Sequence, residues 1–477
     1  MKPWPYEQIR RVTLSRWLGR GTREPGGGVC TDSRRINPGD LFIAIKGPNF
    51  DAHEFLPQVI AAGASGILID QPATAEVLAM AARESASVLQ TDNTIRGLNR
   101  LAAAYRKDVR AKIIAVGGAN GKTSTKQMIH ALLQGRFSGV ASPKSFNNNI
   151  GLPLTVLTIE PQHDYAVLEV GTNAPGEVAA LARIAAPDIA VITGIGLEHL
   201  EFLQNLACVA KEEASLARSV PPTGMLMLTN HSPELLDALR FFKHPRLTVG
   251  TAESAADYAA SEIRESWRGC RFVINGRQQV EIPLLGRHNV FNAMLAMAVA
   301  RRMGLTDEEI ACGLEKLKPA PMRLEIQTCA GHRVINDAYN ANPTSMAAAI
   351  ETFGNLPAPD GGGPCRRVAV LGDMLELGPQ GPDLHVEIGR LAAARGLDFL
   401  AAAGPLMQFA VDAFKAEGRS AHHFPDTAAA AAALPELLRT GDLILLKGSR
   451  SMRMERILEK MTETATAGPL RCSAART

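Results

Sequence analysis

This sequence predicts an α/β protein of three domains. Short apolar runs alternate with helical patterns along most of the chain: residues 112–116 then 124–133, 166–170 then 177–184, then 189–193. Such alternation builds mainly parallel sheets covered by helices. The length of 477 residues is a second observation, because a single core stops growing at about 250–300 residues. A third is the break at residues 318–321, where Pro319 and Pro321 bracket a linker.

Taken in order, residues 1–110 hold strand-like pieces at 40–45 and 66–69 and read as a small separate domain. Residues 111–318 hold the alternating runs just described and form a central domain. After the linker, residues 319–477 bring new strands at 367–371, 399–403 and 442–446, so the third domain is again α/β. The alanine stretch 428–433 predicts a helix with a small-residue face. Residues 462–477 read as a poorly ordered end.

Composition narrows the function classes. Hydrophobic residues make up 46% and charged residues 21%, which is soluble globular usage and not disorder. A formal net charge of +3 gives no basic stripe for nucleic acid but leaves small anionic ligands open. The seven cysteines include no CxxC pair and leave one over if paired, so a reduced, cytoplasmic protein is expected. No uncharged apolar run reaches the roughly 18 residues of a membrane span, and no export signal is visible, so neither insertion nor secretion is expected.

The strongest motif runs Gly117-Gly118-Ala119-Asn120-Gly121-Lys122-Thr123-Ser124. An apolar strand precedes it, and a helix with Met128, Ile129, Leu132 and Leu133 on one face follows. Strand, glycine turn and helix start aim backbone N–H groups and the helix dipole at one point, as a triphosphate requires. Gly118 to Ser124 are therefore candidate nucleotide contacts, with Lys122 on the outer phosphates and Thr123 on Mg²⁺. Val116 stands where the full GxxxxGK[ST] pattern has its first glycine. The plainer alternative is an ordinary glycine turn with Lys122 solvated.

Glu169 and His199 follow at strand ends, and Lys211 comes after them. Ligands of open α/β sheets bind at the carboxyl ends of strands, so a carboxylate and an imidazole there would lie beside the loop. Each also reads as structural: Glu169 as a buried hydrogen-bonded carboxylate, His199 as a helix cap, Lys211 as a solvated helix charge.

Eight blocks in order resemble the Mur ligase family over nearly the whole chain. They are Thr31-Asp32-Ser33-Arg34 with Pro38 to Phe42; Asn147-Asn148-Asn149-Ile150-Gly151-Leu152-Pro153; Glu169-Val170-Gly171; His199-Leu200-Glu201; Gly286 to Ala293; Asn336 to Pro343; Leu371 to Gly378; and Lys447-Gly448-Ser449-Arg450. The resemblance is strongest to members that add D-alanyl-D-alanine to a UDP-N-acetylmuramoyl-tripeptide. It implies a UDP-substrate domain over 1–110, a central ATP-binding domain over 111–318 and a Rossmann-like ligase domain over 319–477.

The resemblance also implies roles. Glu169 and His199 hold Mg²⁺, and Lys211 matches a lysine that carries a carbamate, a modification that turns a cation into a carboxylate. Asn289 and Asn292 meet adenine, Asp337 the ribose and Arg323 the terminal phosphate, although capping or turn formation also accounts for the first three. Ser33 and Arg34 read the uridine diphosphate end, with a polar turn as the alternative; Asn147, Asn148, Asn340 and Asn342 meet substrate, near Ser345. Lys122, His199, Lys211 and Arg323 are the catalytic candidates. His385 resembles a position near the third-domain site, but a helix-surface histidine is the plainer reading. Two departures stand out: Gly194 where Asn is usual, and Gly117 where Thr is usual.

A carboxylate is a poor electrophile, so ATP would activate it as an acyl phosphate before the amine attacks, with ATP and Mg²⁺ as cofactors and no other subunit required. Two alternatives remain: the family's neighbour that adds the third residue, and a nucleotide-driven switch without ligase chemistry.

Overall fold

A computed structural model describes residues 1–358 and 365–467. It contains three sheets in three α/β domains. The first has five strands in the order Arg16–Gly19, Ser87–Gln90, Gly66–Ile69, Leu41–Ile43 and Val29–Cys30, parallel except for the first pair.

The central sheet has nine strands, in the order Gln278–Ile282, Gly269–Ile274, Tyr258–Ser266, Arg246–Thr251, Met225–Thr229, Ile189–Ile192, Lys112–Gly117, Tyr165–Glu169 and Gly139–Ala141. All pairings are parallel except the two that Gly269–Ile274 makes, with Tyr258–Ser266 and with Gln278–Ile282. The strand Lys112–Gly117 is apolar at every position after Lys112 because both faces are covered. Ile113 and Ala115 enter one core and Ile114 and Val116 the other, as the two-residue repeat of a strand demands. From this strand the chain passes to Gly139–Ala141 and Tyr165–Glu169 on one side, then to Ile189–Ile192 on the other. That reversal opens a crevice at the carboxyl ends of the strands, where Gly117 to Gly121, Glu169 and Thr193 converge.

The third sheet has six strands in the order Glu325–Cys329, His332–Asp337, Leu443–Lys447, Arg367–Gly372, Phe399–Ala403 and Ser420–Phe424. The alanine-rich stretch lies in the helix Thr427–Leu437. Residues 462–467, expected as part of a loose end, continue the helix Glu455–Ala467. Their apolar neighbours Met454, Ile457, Leu458 and Met461 pack into the third core and carry the helix on; residues 468–477 lie outside the described residues.

The helix Thr94–Arg106 joins the first two domains. Leu98, Leu101 and Tyr105 share one continuous core with Trp4 and Ile9 on one side and with Leu152, Val156 and Leu181 on the other. Tyr105 donates to the Ile159 carbonyl at 2.6 Å, and the Arg106 guanidinium pairs with Asp188 at 3.1 Å. The third domain reaches the central one through Asn342 to Asn120 (3.0 Å), Leu197 N–H to Thr344 Oγ1 (3.0 Å) and Tyr339 to Ser145 (2.5 Å).

Candidate active site

The phosphate loop is shaped by two glycines with positive φ, Gly118 at 114° and Gly121 at 86°. A Cβ on Gly118 would stand 2.4 Å from Thr193 Oγ1, and one on Gly121 would stand 2.6 Å from Asn292 Oδ1. The loop is pinned from the adjacent strand end: Ala119 N–H donates to the Gly194 carbonyl at 2.7 Å, and Thr193 Oγ1 donates to the Asn120 carbonyl at 2.5 Å. The helix Lys122–Leu133 then starts with no side-chain cap. Its first N–H groups and dipole are left facing the crevice, an anion site by construction.

A cavity of about 970 Å³ opens onto this helix start. Ala119 to Thr123, Asn147, Asn148, Asn149, Glu169, Glu198 and His199 line it from the central domain, and Arg323, Tyr339, Asn340, Asn342, Ser345 and Arg450 from the third. Lys122 Nζ is folded back onto the Gly118 carbonyl at 2.6 Å and stands 3.7 Å from Glu198. Burial disfavours its ammonium, but Glu198, Glu213 and Glu169 outweigh burial, so its pKa lies above the ordinary lysine value. Burial in turn pushes the Glu198 carboxyl up to about 8, with Lys122 opposing.

Glu169 ends its strand almost fully buried, at 1% exposure, between three partners. The Thr123 hydroxyl donates to Oε1 at 3.2 Å, Asn147 Nδ2 donates to the same oxygen at 3.1 Å, and Lys126 Nζ pairs with Oε2 at 2.9 Å. His199 has its Nδ1 held by Glu376 of the third domain at 2.5 Å, the arrangement that leaves Nε2 for a metal. Among the described residues no three His, Cys, Asp or Glu side chains gather at one point. Mg²⁺ commonly takes one or two protein carboxylates and completes its shell with phosphates and water. Glu169 with Thr123, and His199 at the cavity wall, fit such an ion.

Arg323 lies between the large cavity and a second of about 190 Å³. Met322 and Leu324 on either side of it adopt left-handed φ of 57° and 50°. That backbone turns the guanidinium over the Tyr339 ring at 4.2 Å, with Nε buried and without a hydrogen-bond partner among the described residues. The second cavity is lined by Ser124, Gln127, Leu285, Asn289 and Pro319, among others. Asn292 is buried behind Asn289 and donates to its Oδ1 at 3.0 Å.

Comparison with known proteins decides the family. The Mur ligase catalytic-domain model matches residues 27–106, the Mur ligase middle-domain model 116–300, and the Mur ligase glutamate ligase-domain model 322–450. The chain is 38% identical over 446 residues to the UDP-N-acetylmuramoyl-tripeptide--D-alanyl-D-alanine ligase of Bacillus subtilis, covering 92% of this chain and 93% of that protein. This chain belongs to the Mur ligase family. The ligase of the same name from Escherichia coli is 33% identical, with 92% and 94% covered. A crystal structure of MurF from Acinetobacter baumannii superimposes with a TM-score of 0.86 at 30% identity, covering 97% of this chain and 99% of that one.

Several residues that the Mur ligase resemblance singled out do not line these two cavities. Lys211 is exposed on the helix Leu206–Ala214 and does not line the cavity. The side chain that faces the loop from that helix is Glu213, fully buried and accepting the Gly118 N–H at 2.6 Å. Val209 and Ala214 face inward on the same helix, and Glu213 is four residues from Val209; that spacing was the available signal. Ser33 and Arg34 lie outside the cavity lining, and Arg34 is exposed with its guanidinium forked onto Asp32 at 2.8 Å for both bonds. Asp337 also lines neither cavity; it pairs with buried Lys447 at 2.5 Å and accepts the Leu324 N–H at 3.1 Å. His385 is fully buried and not on a helix surface: it donates from Nδ1 to the Gly381 carbonyl at 2.6 Å and accepts the Met374 N–H at Nε2. With both ring nitrogens engaged, it is a structural bracket.

Other functional candidates of this Mur ligase escaped the sequence reading. Lys126 was hidden because a charged residue within an apolar helix face is ordinarily solvated, yet it is three residues before Ile129 on that face and only 2% exposed. Arg96, Arg100 and Arg183 form a basic far wall of the cavity on the helices Thr94–Arg106 and Glu177–Ala185, with Asn93 capping the first of them. Gly194 leaves room: a Cβ there would meet nothing nearer than 3.9 Å.

Proposed function

We propose that this Mur ligase joins D-alanyl-D-alanine to the free carboxylate of UDP-N-acetylmuramoyl-tripeptide, converting ATP to ADP and phosphate. The observation that carries the reading is the composition of one cavity: a phosphate loop with Lys122, Thr123 and Glu169 at one end, and Tyr339, Asn340, Asn342 and Arg450 of the third domain facing it. The names and coverage of the relatives support the same substrates.

In this reading the substrate carboxylate attacks the γ-phosphorus and ADP leaves. The amine of D-alanyl-D-alanine then adds to the carbonyl carbon of the acyl phosphate, loses a proton, and inorganic phosphate departs. Lys122 swings from the Gly118 carbonyl to the outer phosphates, and Arg323 offsets their charge from the opposite side. Ser124, Asn289 and the second cavity take the nucleotide base, and Asn292 acts from behind Asn289. Mg²⁺, held by Thr123, Glu169 and His199, supplies further neutralisation of phosphate charge when bound. Asn147 and Asn148 meet the acceptor peptide, and Asn340, Asn342 and Ser345 the incoming dipeptide. Contacts between the central and third domains close the cavity and keep water from the acyl phosphate. In this reading the enzyme acts as a monomer in the cytoplasm, where its nucleotide-linked substrate would be made. No described helix is long and apolar enough to cross a membrane.

The test is an omission assay. Phosphate release is expected only with ATP, UDP-N-acetylmuramoyl-tripeptide and D-alanyl-D-alanine all present, and Lys122→Ala abolishes it. Steady ATP hydrolysis without either acceptor would point to a nucleotide-driven switch instead.

A further inference from the structure

Three consecutive charged residues on the helix Leu206–Ala214 have three different fates. Lys211 faces solvent. Glu212 turns to the neighbouring helix and accepts the Gly176 and Val178 N–H groups at 2.8 Å each. Glu213 lies beneath the phosphate loop with no exposure; its Oε2 accepts the Gly118 N–H at 2.6 Å, and its Oε1 has no hydrogen-bond partner among the described residues. Positions 211 and 213 differ by about 200° around a helix axis, so Lys211 cannot be brought to the loop without unwinding the helix.

The sequence departure at Gly117 fits this arrangement. A Cβ on Gly117 would stand 2.9 Å from Glu213 Oε2 and 3.2 Å from Leu216 Cδ2. The threonine usual there in the family would press into the carboxylate, so Gly117 and Glu213 form a matched pair.

We propose that Glu213 is a genetically encoded carboxylate that does at the phosphate loop what a lysine carbamate would do, so that this enzyme needs no CO₂. The proposal rests on the ligase reading above. A lysine carbamate brings a negative charge and two acceptor oxygens on a side-chain stem. Glu213 brings the same acceptors and, when ionised, the same charge without a modification; burial raises its pKa, and Lys122 and the Gly118 N–H oppose that rise. One oxygen fixes the Gly118 amide, the other is unspent, and the charge faces Lys122, whose ammonium bonds the same Gly118 through its carbonyl. Glu213 is therefore a positioning residue for the loop and for Lys122.

Full-length enzyme is to be stripped of CO₂ under inert gas and assayed with and without added bicarbonate, and ¹³C-bicarbonate NMR run on the same protein. Equal rates and no carbamate resonance are expected. In parallel, Mg·ADP binding to wild type and Glu213→Gln is measured by calorimetry, with the Gly118 amide ¹⁵N shift as the readout of loop geometry. The variant keeps the shape but loses the charge; it is expected to shift the Gly118 resonance and to bind Mg·ADP at least tenfold less tightly. A bicarbonate-dependent rate, a carbamate resonance lost in Lys211→Ala, or wild-type shift and affinity in Glu213→Gln would each overturn the proposal. If the wild type makes no product in the omission assay the ligase reading fails, whereas the NMR and calorimetric results still judge Glu213.

Discussion

Replacing Lys126 by methionine keeps most of the side-chain volume and removes the cation that faces Glu169. The pair is 2.9 Å apart with both side chains at or below 2% exposure. Coulomb's law gives about 6 kcal/mol of attraction at an effective dielectric of 20, most of it offset by the desolvation of two ions. Removing one partner forfeits the attraction but leaves Glu169 desolvated, and such losses run to about 3–5 kcal/mol. Lys126 also donates to the Lys144 carbonyl, so that acceptor is left open too. Three domains do not unfold in one step, so the readout is native-state hydrogen exchange of amides in the strands Lys112–Gly117 and Tyr165–Glu169. Their opening free energy is expected to drop by about 3 kcal/mol in Lys126→Met. Adding Glu169→Gln to that variant removes the stranded charge and should recover part of the loss, a coupling of at least about 1 kcal/mol. A loss under about 1 kcal/mol, or additive effects in the double variant, would show that the pair is not buried as an ion pair and refute the reasoning.

Asn342→Ala removes both the capping box with Ser345 and the bond to Asn120 across the domains; the cap alone is worth about 1 kcal/mol, and the ligation rate at low ATP should fall by roughly fivefold or more, while an unchanged KM for ATP would count against the interdomain bond. Arg323→Lys loses the planar stack on Tyr339; kcat should fall by about 100-fold, and wild-type turnover would remove Arg323 from the phosphate site. Glu198 sets a pH trend, because its folded-state pKa of about 8 lies above the ordinary 4.5. The folded state binds that proton more tightly, so its contribution to stability is complete below 4.5 and is lost as pH rises towards 8. Glu198→Gln should therefore flatten the decline over that window in the opening free energy of the Lys112–Gly117 amides, read by native-state hydrogen exchange, and parallel profiles for variant and wild type would contradict the shift.

Alternation of apolar runs with helical periods, a strand and helix flanking Gly117 to Thr123, and eight ordered blocks were enough to determine three α/β domains, the glycine loop between that strand and helix, and the family. Those features are local: a two-residue or 3.6-residue period is written in neighbouring side chains, and a glycine turn is written in backbone freedom. Which charged side chain faces the loop was decided only by the fold. Lys211, Glu212 and Glu213 are adjacent in sequence and similar in polarity, yet packing sends one to solvent, one to a helix start and one beneath Gly118. Arg34 folds onto Asp32 two residues away, whereas Asp337 pairs with Lys447 from a distant strand. Lys126 is buried because Glu169, 43 positions along the chain by its numbering, ends its strand 2.9 Å away. A charge takes the partner that restores its lost hydration, and except where that partner is a near neighbour, its identity is a property of three-dimensional proximity that no window of sequence contains.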